Sequence, residues 1–161
     1  MARRTELGKD LIAGQWVATE FHTLGKLWSA GLPVPYPVQF DGAELLMQFV
    51  GRDGVAAPRL AESRPSGPLL ALLFEQVRDA MLRLAELGWT HGDLSPYNIL
   101  LDDERAVLID WPQVVDVVGN PYGFAFLERD ARTVCAWFTR RGYAVDAGEL
   151  TGDLVAAATR W

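Results

Sequence analysis

The stretch THGDLSPYNILLDDERAVLIDWPQ, residues 90–113, limits the fold of this chain more than any other. Two short apolar runs, NILLD and AVLID, flank Asp103-Glu104-Arg105, a polar spacer that predicts a β-hairpin. Antiparallel pairing sets Asn98, at the start of the first run, beside Asp110, at the end of the second. His91 and Asp93 lie in the loop immediately before. Four polar side chains are therefore expected at one mouth. Singly, each has a plain role: His91 as a structural hydrogen-bonder, Asp93 or Asp110 as a turn residue, Asn98 as a strand cap. At this joint spacing they point to phosphoryl transfer. An Asn carbonyl and an Asp carboxylate are hard oxygen ligands that suit Mg²⁺, and a separate carboxylate orients an attacking hydroxyl and accepts its proton. His91 is expected to fix the loop and not to carry the proton. Asp102, Asp103 and Glu104 read as an acidic hairpin turn.

The flanking sequence supplies a frame for that mouth. In LIAGQWVATEFHTLGKLWSAG, Val17, Phe21, Leu24 and Trp28 fall at i, i+4, i+7 and i+11, which predicts an amphipathic helix ending near Gly31. His22 falls on its exposed side. Three prolines in LPVPYPVQF enforce an extended entry. The apolar runs around Asp41-Gly42 then predict a second hairpin. Residues 51–67, rich in Gly, Pro and Ser, read as a connector. PLLALLFEQVRDAMLRLAELG carries the clearest helical stripe, Leu70, Leu73, Phe74, Val77, Met81 and Leu84, with Pro68 suited to its start and Gly88 to its stop. Two further helices follow the hairpin, the first with Leu127, Val134, Trp137 and Phe138 as its apolar side. Trp16, Trp28, Trp89 and Trp137 are expected in packing roles. The order predicts an α+β fold with a helical second half.

Composition narrows the partners. Across 161 residues, 15 basic and 21 acidic side chains leave a net charge of −6, so charge gives no support for nucleic acid or anionic membrane as a general partner, an Arg3-Arg4 patch aside. The single cysteine, Cys135, excludes an intrachain disulfide and sits in an apolar pattern that suits a core residue. No run approaches the length of a membrane span and no signal-peptide core follows Met1. A cytoplasmic location is the expectation.

HGDLSPYNIL followed by LIDWPQ resembles the catalytic and metal-binding loops of RIO-type atypical protein kinases, which read H-[GA]-D-L-S-x-[YF]-N-[IV]-L and then I-D-x-[PS]-Q. EFHTLGKLWSAGLPVPYPV resembles the family's segment with the helix that lends a glutamate to the nucleotide site. LLMQFVGRDGVAAPRL resembles its interlobe hinge, and FLERDARTVCAWFTRRG its helix after the metal loop. The resemblance runs from about Trp16 to Gly142. It implies a protein kinase-like fold, with residues 1–50 as a partial N-terminal lobe (one helix and a hairpin) and residues 51–161 as a mainly helical C-terminal lobe. It further implies Asp93 as the catalytic carboxylate, Asn98 and Asp110 as metal ligands, and Met47, Gln48 and Val50 as the adenine border. Glu20 would be the helix carboxylate that pairs with a phosphate-binding lysine. Ser95 stands where ordinary protein kinases often carry a lysine. The implied cofactors are ATP and Mg²⁺, with Mn²⁺ as a substitute, and the implied partner is a phosphate acceptor, protein or small molecule.

The front of the chain departs from that pattern. MARRTELGKDLIAGQWVAT contains no glycine-rich loop and no V-A-x-K strand, and Lys9, the only lysine before Glu20, lies in polar sequence. The expectation is a RIO-like ATP-dependent phosphotransferase, a serine/threonine kinase or an ATPase, lacking the glycine loop and strand lysine. A missing segment or a partner would complete the N-terminal lobe. Two alternatives stay open. Aminoglycoside and other small-molecule phosphotransferases also carry H-G-D-L-x-x-x-N followed by I-D-W. A catalytically silent, kinase-derived binding module is the other.

Overall fold

A computed structural model of the chain describes residues 2–111 and 114–160, with side chains described from residue 14 onward. Pro112 and Gln113 of the I-D-W-P-Q motif lie outside the described residues, as do the side chains of Arg3, Arg4 and Lys9. The fold is mixed helix and strand. Helix α1 spans Ala2–Ser29, and the strands β1 (Pro37–Asp41) and β2 (Glu44–Met47) form the first hairpin. Leu24 and Leu27 of α1 are fully buried, and Phe21 meets Phe40 of β1 with ring centroids 5.0 Å apart. Trp28, expected in the stripe, is half exposed; Leu27 takes the inward position one residue earlier, and the Trp28 ring rests on Tyr36 instead. Trp16 is likewise exposed, whereas Trp137 is buried. The hairpin turn centres on Gly42-Ala43, with Asp41 opposite Glu44, one residue later than the Asp41-Gly42 signal suggests.

The connector holds more structure than its composition predicts. It contains a tiny hairpin, β3 (Gly51–Arg52) against β4 (Val55–Ala56), and a 3-10 turn at Leu60–Glu62. Gly51 has φ 151°, and a Cβ there would lie 2.1 Å from the Val55 carbonyl oxygen, so only glycine closes this hairpin. Leu60 is fully buried and anchors the segment, which is why a run rich in turn residues does not drift free of the core. Arg59 bridges Leu100, joining the connector to the central hairpin.

Helix α2 (Gly67–Glu86) buries Leu70, Leu73, Phe74, Val77, Met81 and Leu84, the whole predicted stripe. Burying each such side chain stabilises by roughly 1.5–3 kcal/mol. Pro68 sits in the first turn, and Gly88 (φ 79°) follows the end of the helix in the left-handed region. Strands β5 (Trp89–Thr90) and β8 (Val115–Asp116) pair, and β6 (Ile99–Asp102) and β7 (Arg105–Leu108) form the central hairpin. Helices α3 (Gly123–Arg140) and α4 (Ala147–Ala158) complete the core; α4 packs on both α2 and α3, and Phe74 meets Phe138 edge to face at 5.2 Å. Asp146 caps α4 by accepting from the Gly148 and Glu149 amides. Cys135 is buried; burial first, and the Asp146 charge second, push its thiol up, which suits an inert core residue. Among the described residues no helix is long and apolar enough to cross a membrane.

Candidate functional site

The loop carrying Asp93 is held from below by one buried carboxylate. Asp130 on α3, 1% exposed, accepts from Thr90 Oγ1 at 2.8 Å, the Gly92 amide at 2.8 Å and the Leu94 amide at 2.9 Å. Both flanks of Asp93 are thereby fixed while its own side chain points outward, 86% exposed. Gly92 makes the bend possible: its φ of 84° lies where a Cβ is strained. Burial pushes the Asp130 carboxyl up, against the opposing pull of its three donors. Arg129, one residue earlier, donates to the Gly92 carbonyl oxygen and stands 3.8 Å from Asp93 Oδ1. Nothing in the linear motif flags Asp130 or Arg129. The available signal was an acidic residue on the inward face of α3, between Leu127 and Val134, where a charge is tolerated only with partners.

The central hairpin brings the other two polar residues to the same end. Ile99 faces Leu108, and the Ile109 amide donates to the Asn98 carbonyl oxygen at 2.9 Å, so Asn98 flanks the residue just before Asp110. Asn98 closes a 3-10 turn at Pro96–Asn98, and its amide to the Ser95 carbonyl sets the turn at 2.9 Å. Its side-chain Nδ2 donates to the Asp93 carbonyl oxygen at 3.0 Å, which leaves Oδ1 without a donor among the described residues. Asp110 has φ 68°, in the left-handed region that Asp53 and Asp103 also adopt in their tight turns. His91 is 4% exposed; its Nε2 meets the Ile109 carbonyl oxygen at 3.1 Å and its ring lies against buried Trp111 with centroids 4.4 Å apart. It ties the loop of Asp93 to the residue before Asp110.

Glu20 reaches this end from α1. Its carboxyl is pushed up, first by partial burial and then by the Asp110 charge, against a hydrogen bond from the Trp111 amide. Glu20 and Asp110 are thus like charges close enough to repel. A carboxyl raised in the fold contributes stability below its ordinary value near 4.5 that is lost as pH rises through its folded value. Glu20→Gln, which cannot ionise, is therefore expected to raise the thermal midpoint at neutral pH and to leave it unchanged near pH ~4. Melting curves at the two pH values check this.

The segment after β2 has an ordered pattern of used and unused backbone groups. The Gln48 amide donates to the Tyr36 carbonyl at 2.8 Å, and the Val50 carbonyl accepts from the Ala57 amide at 3.0 Å. No hydrogen bond among the described residues engages the Gln48 carbonyl or the Val50 amide. An acceptor and a donor two residues apart remain beside half-buried Met47. Of the predicted site residues, His91, Asp93, Ser95, Asn98, Asp110 and Glu20 gather around the two loops. Met47 ends β2, and Gln48 and Val50 lie on the connection between the first hairpin and the next.

The donor set fits a small hard cation only in part by itself. Among the described residues no cluster of three or more His, Cys, Asp or Glu side chains is arranged to hold a metal. Asn98 Oδ1 and the Asp110 carboxylate are two hard oxygen donors, and Mg²⁺ normally takes one or two protein ligands, completing its shell with water and substrate phosphates. The residues fit that mode.

Residues 2–150 match the family model described as the RIO domain. The chain belongs to the RIO family. A RIO-type serine/threonine-protein kinase Rio1 from Haloferax volcanii is 39% identical over 149 residues, covering 90% of this chain and 50% of that protein. The RIO3 serine/threonine-protein kinase of Bos taurus is 34% identical over 148 residues, 91% of this chain and 28% of the relative. A Rio1 kinase from Thermoplasma acidophilum is 30% identical over 147 residues, 91% of this chain and 76% of the relative. This RIO chain therefore spans about half the length of its Haloferax relative and less than a third of the bovine one.

Proposed function

We propose that this RIO domain is the catalytic-loop half of an ATP-dependent phosphotransferase with a protein kinase-like fold. Residues 1–50 would form part of the N-terminal lobe and residues 51–161 the C-terminal lobe. The observation that carries the reading is the shared anchoring of two loops. Asp130 fixes the backbone on either side of exposed Asp93, and His91 and Asn98 tie that loop to Ile109, the residue before Asp110.

In this reading the Asp93 carboxylate orients the acceptor hydroxyl and takes its proton as the new P–O bond forms. Asn98 Oδ1 and Asp110 hold Mg²⁺, which when bound neutralises charge on the nucleotide phosphates. The Gln48 carbonyl accepts from the adenine amino group, the Val50 amide donates to a ring nitrogen, and Met47 lines the base. Glu20, unmatched by a cation among the described residues, awaits a positive group near the phosphates. Ser95, without a long cationic side chain, leaves charge stabilisation to other groups. The relatives carry serine/threonine kinase names, which favours a hydroxyl of a protein as acceptor over a small molecule. A cytoplasmic location accords with ATP as substrate.

Incubating the chain with terminally labelled ATP and Mg²⁺ tests the reading. Label transferred to protein supports a kinase, release as phosphate supports an ATPase, and transfer to an added aminoglycoside supports the small-molecule alternative. Nucleotide binding with none of the three, in this chain and in a longer form carrying a strand lysine, would leave a binding module.

A further inference from the structure

His91 has a second nitrogen that the loop contacts do not use. Its Nε2 faces the Ile109 carbonyl oxygen, an acceptor only, so Nε2 carries the proton and a neutral imidazole presents Nδ1 as an acceptor. Nδ1 is buried and has no partner among the described residues. A buried acceptor left without a donor is costly, and such atoms in folded proteins are nearly always paired with protein or ordered water.

The two nitrogens of an imidazole point in diverging directions, so with Nε2 committed to Ile109 the partner of Nδ1 must come from elsewhere around the ring. One small, largely apolar cavity is bordered by both His91 and Asp130, together with Thr90 and apolar side chains that include Met81, Ala85 and Leu127, with about 10 Å³ available to water centres. That is close to the room one water molecule requires. No residue of the turn at Asp110 borders it.

Asp130 supplies the second partner such a water needs. Its Oδ2 accepts from Thr90 and Gly92, while Oδ1 accepts only from Leu94, so Oδ1 keeps an unused lone pair. We propose that one ordered water occupies this cavity and donates one hydrogen to His91 Nδ1 and the other to Asp130 Oδ1. The water closes a continuous chain from the Leu94 and Gly92 amides through Asp130 and His91 to the Ile109 carbonyl. The two loops are then held by one buried network and move as a unit, with His91 as a positioning residue. This stands whether or not the chain transfers phosphate.

Nitrogen-15 NMR of the whole chain at neutral pH tests it. The expected result is His91 in the Nε2–H form, with cross-relaxation between a long-lived water and the Thr90 and His91 protons. A proton on Nδ1, or no long-lived water there, overturns the proposal. Ala85→Val gives a second reading, because the added methyl groups enter the cavity. Displacing a water that satisfies two groups is expected to remove the water signal and to lower Tm by roughly 3–10 °C. A Tm that rises on the substitution, as filling a dry apolar void produces, contradicts it. So does a water signal that persists in the variant.

Discussion

Asp130→Ala is expected to destabilise this chain by about 3–5 kcal/mol, the largest loss of any single substitution around the site. The carboxylate is 1% exposed and accepts three hydrogen bonds, two from backbone amides that have no means of turning elsewhere. Truncation leaves the Gly92 and Leu94 amides as buried orphans, each costing roughly 1–3 kcal/mol, and opens a small void beneath the loop. The Thr90 hydroxyl can rotate and loses less. Asp130→Asn keeps the volume but swaps one acceptor oxygen for a donor that faces a donor, so it is expected to recover little. Urea unfolding of the two variants beside wild type measures the loss. Hydrogen exchange is expected to speed at residues 90–94 before it does in α2. A loss below about 1 kcal/mol for Asp130→Ala would mean that the loop is held by other contacts.

Asp93→Asn is expected to act in the opposite way, sparing the fold and removing chemistry. The side chain is 86% exposed and its one described ion pair, with Arg129, spans 3.8 Å between half-exposed or exposed groups, a contact worth little. Stability should change by less than about 0.5 kcal/mol. If Asp93 takes the acceptor proton, phosphate transfer by an active form of the domain falls roughly 100- to 10,000-fold, with nucleotide affinity unchanged. An affinity that falls in step with turnover would instead make Asp93 a nucleotide contact. Stability loss at residue 130, set against turnover loss with the fold intact at residue 93, would separate the support of the loop from its working group.

Much of this was legible in the chain itself because local patterns and tertiary demands agree. The stripe of α2 is buried as its spacing predicts, and NILLD and AVLID pair with Asn98 beside the residue before Asp110, because a hairpin register is a local property. Where tertiary packing decides, the pattern was weaker. Trp28 satisfies the helical period of α1, yet Leu27 holds the inward place and the larger ring lies outside on Tyr36. Residues 51–67 carry turn composition, and only the burial of Leu60 reveals them as a fixed strap. Asp130 was invisible for a related reason. It lies far from Asp93 in the chain, and its part depends on donors that only the folded loop presents. The pattern of backbone groups after β2, too, needed the fold, since which of the Gln48 and Val50 groups stay unpaired among the described residues follows from Tyr36 and Ala57.

The central claim is that Asn98 and Asp110 form, with a bound nucleotide, a Mg²⁺-phosphate mouth. Titrating ATP into this chain with and without Mg²⁺, while following tryptophan fluorescence, tests it most directly, because Trp111 adjoins Asp110 and packs on His91. Wild type is expected to bind more tightly with Mg²⁺ than without, and Asp110→Ala to lose that difference while keeping the weak metal-independent part. Equal Mg²⁺ dependence in wild type and Asp110→Ala would contradict the account.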